Sequence, residues 1–308
     1  MIRNAMIAAA LMLAPAVTYA QPADADAARA AQAAADATWP KTGPTPPLPM
    51  AESLPRIFKV ILVGDSTMQT NSGWGGAFCA YHVNFSITCV NMAKGGRSTS
   101  NYRAERSWEV AQHEMKSGGF ADTYVLIQFG HNDQPGKAGR STDIVTEFPA
   151  NLRRYVEEVR AAGAKPVLVT PIVRRQFENG KLVNDLAPWA EATRKVAAEM
   201  NVPLVDLNRT SFEAVQAMGP AESTKLAQKP PSPQVLAAAR AGTTIASSTG
   251  AAPMVPVPQD PASVEPQGDP TLAFDYTPLG KEGAELFAAQ VTTELARVVP
   301  ELRRGLIK

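Results

Sequence analysis

The chain has 308 residues, with 30 Lys+Arg against 29 Asp+Glu, 45% hydrophobic residues, two cysteines and three histidines. A formal net charge of +1 gives no field that would gather nucleic acid or anionic lipid. Two cysteines build neither a zinc ribbon nor a multi-disulfide scaffold, and no His/Asp/Glu cluster has metal-ligand spacing, so no metal or cofactor is expected.

The chain opens on Met1-Ile2-Arg3, an apolar Ala-rich run from Ala5 to Val17, and Thr18-Tyr19-Ala20. A positive tip, a short apolar core and a small-residue cleavage site predict an export signal over residues 1–20. The run is too short to span a bilayer, and no second apolar segment follows. The mature chain is therefore expected to be secreted or periplasmic, with no membrane association, and a monomer. Residues 21–54, rich in Ala and then Pro, read as a loosely packed arm.

Residues 55–300 are expected to form one domain. Ile57 to Val63 is apolar except at Lys59 and ends at a Gly, as in a strand covered on both faces. Similar runs are Ile87 to Met92, Tyr124 to Phe129, Pro166 to Thr170 and Pro203 to Leu207. Helical spacing intervenes at Phe148, Leu152, Tyr155, Val156 and Val159, and at Trp189, Thr193, Val196 and Met200. It returns at Phe287, Val291, Leu295 and Val298. The alternation predicts a doubly wound α/β fold with about five parallel strands. Residues 219–270, with nine prolines from Pro230 to Pro270 and no aromatic, read as an irregular surface insertion.

Ligands of an open parallel sheet bind beyond the carboxyl ends of its strands. Three polar, Gly-rich segments fall there: Gly64-Asp65-Ser66-Thr67, Lys94-Gly95-Gly96-Arg97-Ser98 and Gly130-His131-Asn132-Asp133. Ser66 alone reads as a helix N-cap or as a nucleophile. A Gly N–H at Gly96 and a side-chain amide at Asn132 are the donor types an acyl-transfer site aims at a developing oxyanion, which favours the nucleophile. No Gly-x-x-x-x-Gly-Lys-Ser/Thr motif points to a nucleotide phosphate.

These segments, with Gly73-Trp74-Gly75, the run Thr170 to Arg175 and a last block from Asp275 to Ala284, resemble the SGNH (GDSL-like) hydrolases of the rhamnogalacturonan acetylesterase type. The resemblance covers about Val60 to Asn208 and Asp275 to Leu295. It implies a flavodoxin-like sheet and hydrolysis of acetyl esters on a pectic polysaccharide, or of a small ester. It also implies Ser66 as nucleophile and an oxyanion hole from the N–H groups of Ser66 and Gly96 and the Asn132 side chain. The family's last block is Asp-x-x-His, where the histidine takes the serine proton and the aspartate orients it. This chain reads Asp275-Tyr276-Thr277-Pro278, and proline has no titratable side-chain group. Asp275 is left as an orienter without a ring.

His82, His113 and His131 each read as structural or exposed rather than as a replacement base. Two accounts stand: an esterase whose activity is crippled by Pro278, or a non-catalytic glycan-binding protein using the same cleft. Trp74 reads as a sugar-stacking or a core residue. Arg97 is expected to contact substrate, and Arg103, Arg174 and Arg175 to pair with uronates or with internal acids. Cys79 and Cys89 read equally as a disulfide or as two buried thiols.

Overall fold

A computed structural model of the chain describes residues 29–30, 56–245 and 274–307. The expected export signal, nearly all of the expected arm, and residues 246–273 lie outside them.

Strands β1 (Phe58–Gly64), β2 (Ile87–Asn91), β3 (Thr123–Gln128), β4 (Lys165–Val169) and β7 (Leu204–Val205) pair in parallel in the order β2-β1-β3-β4-β7. Counting only strands of this sheet, that is the 2-1-3-4-5 order of flavodoxin-like folds. Phe177–Glu178 (β5) and Lys181–Leu182 (β6) make a separate antiparallel hairpin. All seven residues of β1 are buried because the strand is central and covered on both faces. Lys59 is tolerated there because its ammonium reaches the backbone carbonyl of Glu114 at 3.0 Å and its carboxylate at 2.7 Å.

Alternate strand residues feed two cores. Val60, Leu62, Leu126, Val167 and Val169 pack with helices α1 (Gly75–Tyr81), α6 (Leu207–Glu222) and α8 (Lys281–Val298). Ile61, Val63, Val125, Ile127 and Leu168 face α3 (Ser107–Met115), α4 (Glu147–Ala161) and α5 (Ala187–Glu199). A short helix, α2 (Asn101–Ala104), precedes α3. Cys79 on α1 and Cys89 on β2 form a disulfide, which decides between the two readings of that pair.

The expected irregular insertion is corrected in its first half. Gly219, at φ 76°, interrupts α6 before Pro220; a 3-10 turn follows at Ser223–Leu226 and then α7 (Pro233–Arg240). Ser232 caps α7 through the Val235 N–H and Pro233 begins it, so proline here starts a helix rather than breaking one. Leu226, Val235 and Ala239 are buried.

Candidate active site

The carboxyl ends of β1, β2 and β3 are fastened to one another by backbone pairing. Gly64 stands in register with Gln128, and its carbonyl accepts from the Lys94 N–H at 2.9 Å. The three corners that follow are therefore neighbours.

At the first corner the Asp65 carboxylate is fully buried and accepts from the Thr67 N–H at 2.9 Å and the Thr67 hydroxyl at 2.7 Å. This turn leaves Ser66 half-buried between two buried residues. Ser66 caps no helix, since α1 begins at Gly75 with Trp74 as its N-cap. The loop folds back tightly on the Ser66 turn at Gly73, where an added Cβ would lie 2.3 Å from the Thr67 carbonyl carbon. Ser72 then donates to the Ser66 carbonyl at 2.7 Å.

At the second corner Gly96 adopts φ 76°, a left-handed conformation that costs glycine nothing. The third is tied to it: the Asn132 side-chain amide donates to the Arg97 carbonyl at 3.0 Å, which leaves that amide a second N–H. Asp133 accepts from the Thr99 N–H at 3.0 Å and the Thr142 hydroxyl at 2.9 Å. Burial pushes Asp65 up to about 6 and Asp133 up to about 7, against the hydrogen bonds each accepts.

His131 is buried with Nδ1 3.7 Å from Asp65 Oδ2, and neither ring nitrogen has a hydrogen-bond partner. Burial, then the charges of Arg174 and Lys137, hold it well below the usual histidine range, so it is neutral. His82 bonds the Ile307 carbonyl at 2.9 Å and His113 is exposed on α3.

The last block is built around Arg175. Its buried guanidinium donates to the carbonyls of Asp275 at 3.1 Å, Thr277 at 3.2 Å and Pro278 at 2.8 Å, while its N–H donates to Tyr276 at 3.2 Å. Burial lowers this guanidinium to about 10. The Leu279 N–H donates to the Ser72 carbonyl at 2.8 Å, and Ser72 in turn holds Ser66. Leu279, the residue after Pro278, is thus two hydrogen bonds from the Ser66 corner. Asp275 is exposed and spends Oδ1 on the Thr277 N–H at 2.7 Å.

Two expected substrate contacts are corrected. The Trp74 indole is fully buried, donates to Gln128 at 2.8 Å and meets Phe78 edge-on at 5.9 Å, so it presents no face to a sugar. Arg97 is 1% exposed and its guanidinium is held by Glu105 at 2.9 Å and the Gly95 carbonyl at 2.7 Å. Arg103 pairs with Glu158, and Arg174 with Asp185 and Gln134. Arg175 serves the loop, so these three are internal too. Lys137 and Arg140, which the sequence reading passed over, stand in the turn after the third corner; their one signal was a place just past the carboxyl end of a strand.

Residues 62–228 match the model of the GDSL-like Lipase/Acylhydrolase family. The chain is 35% identical over 159 residues to the probable rhamnogalacturonan acetylesterase YesY of Bacillus subtilis, spanning 50% of this chain and 71% of that protein. It is 35% identical over 177 residues to the rhamnogalacturonan acetylesterase RhgT of the same organism, spanning 54% and 72%. The crystal structure of the Bacillus subtilis protein YXIM shares the fold, with a TM-score of 0.55 and 20% identity over 78% of this chain and 56% of that one.

Proposed function

The chain belongs to the GDSL-like lipase/acylhydrolase family, whose members are carboxylic ester hydrolases, and on that premise we propose an exported acetylesterase of pectic polysaccharide that acts through Ser66 and is crippled by Pro278. The observation that carries this reading is the tie of Asn132 to the Gly96-Arg97 corner, beside a half-buried serine at the end of β1.

In the reaction the Ser66 hydroxyl attacks the acetyl carbonyl. Negative charge develops on the carbonyl oxygen, met by the N–H groups of Ser66 and Gly96 and the free N–H of Asn132. The serine proton passes to the departing sugar oxygen, and water then cleaves the acetyl-serine to acetate and restores the hydroxyl. Both proton transfers call for a base at position 278, where proline offers none. Losing that base costs on the order of 10⁴ to 10⁶ in kcat and leaves about 10³ to 10⁴ over water. In its present form the chain binds its polysaccharide and turns it over slowly. Export is supported by the apolar N-terminal run and by a disulfide, a bond of oxidising compartments.

The test is acetate release from acetylated rhamnogalacturonan and from acetylated xylan by Pro278→His and by Pro278→His/Ser66→Ala. The reading predicts release by the first from the pectic polymer and none by the second. A folded Pro278→His that releases acetate from neither polymer contradicts it.

A further inference from the structure

The cations around the Ser66 edge fall into two classes. Arg97, Arg103 and Arg174 each hold a carboxylate: Glu105, Glu158 and Asp185. Lys137 and Arg140 do not. Among the described residues the Lys137 ammonium makes no hydrogen bond or ion pair, although the residue is half-buried. Arg140 reaches Asn132 Oδ1 with one nitrogen at 3.4 Å, and its Nε is buried without a partner.

The turn that carries them is built rather than loose. The Lys137 carbonyl accepts from the N–H groups of Arg140 and Ser141 at 2.9 Å each. The Lys137 N–H donates to the Ser141 hydroxyl at 2.9 Å, and that hydroxyl donates to the Gln134 carbonyl at 2.8 Å. One turn therefore carries both cationic residues, with the Arg140 side chain against the Asn132 amide. Lys137 feels the charges of Asp275 and Asp185. Burial, then the charges of Arg174 and Arg140, lowers the lysine. A bound anion would relieve that repulsion and supply the carboxylate that neither side chain holds among the described residues.

We propose that Lys137 and Arg140 bind a carboxylate of the substrate beside the ester, so that the cleft selects acidic saccharides over neutral ones. This deepens the reading given above, in which Ser66 marks the cleft, by assigning the residues that choose the sugar.

The probes are trigalacturonate and xylotriose, titrated calorimetrically into the full chain. The parent is expected to bind trigalacturonate more tightly than xylotriose, with an affinity that falls as salt rises. Lys137→Gln/Arg140→Gln is expected to weaken trigalacturonate about tenfold or more, the loss of roughly one charge-assisted contact, and to leave xylotriose within about twofold. Lys137→Arg, which keeps the charge, is expected to retain binding. The proposal is overturned if the double variant binds trigalacturonate as the parent does, if both sugars weaken equally, or if the parent does not prefer the acid. None of these outcomes depends on turnover, so a failure of Pro278→His to release acetate is distinguishable from a failure here.

Discussion

The corner at Ser66 and the loop at Pro278 are equally well built and differ only in chemistry. At the first, Asp65, Ser66 and Asn132 are held by hydrogen bonds and, with Gly96, present a hydroxyl and donors. At the second, Arg175 grips three consecutive-region carbonyls and Ser72 receives Leu279, yet the residue displayed has nothing to take a proton. Scaffold and reactive group are separable: a loop keeps its shape through backbone contacts that do not care which side chain sits at 278.

The comparison breaks first at Ser66. In a Pro278→His background, Ser66→Ala is expected to lower hydrolysis of p-nitrophenyl acetate by about 10⁴ or more; a small effect would mean the corner is not the nucleophile. Asn132→Ala in that background is expected to cost about 10² to 10³ in kcat with little change in KM, as read from steady-state kinetics. If kcat holds, the tie to Arg97 is structural only.

Arg175→Met sharpens the other side. It strands three carbonyls of a half-buried loop, so urea unfolding is expected to show a loss of about 2–4 kcal/mol. In the Pro278→His background the same change is expected to lower kcat more than it raises KM. Unaltered kcat would show that the loop needs no clamp.

The last effect is electrostatic and spread over several pH units. A carboxyl raised to about 7 in the folded state takes up a proton that the unfolded chain, near 3.8, has already lost. The stability this contributes is present below pH 3.8 and is lost as pH rises toward 7. Asp133→Asn keeps an oxygen acceptor and removes the titration. Its stability relative to the parent is expected to improve across that window by on the order of 1 kcal/mol per pH unit. A parent and variant that run parallel in unfolding experiments from pH 4 to 8 would remove buried ionisation from the account.

The sheet was legible in the sequence because strands buried on both faces write unbroken apolar runs, and Ile57 to Val63 marks β1 within one residue of its observed start and end. The three corners were legible because glycines and short polar residues collect where such strands end. What chain-local pattern does not carry is a partner far away in sequence. Gly73-Trp74-Gly75 says nothing of Gln128, 54 residues on, which draws the indole inward and ends its candidacy as a sugar platform. Arg97 has its partner only eight residues on, at Glu105, but it is the fold of α2 that turns that carboxylate back onto the guanidinium. Pro233 was counted as a breaker because its place at the first turn of α7 depends on Ser232 capping that helix. Arg175 acquires its role only when loops 100 residues apart meet.

The central claim is that this chain lacks a base and little else. Its most direct test is the ratio of p-nitrophenyl acetate turnover by Pro278→His to that of the parent, both shown to be folded. A gain of about 10³ or more, lost again on Ser66→Ala, is the predicted result. A ratio near one would contradict the account.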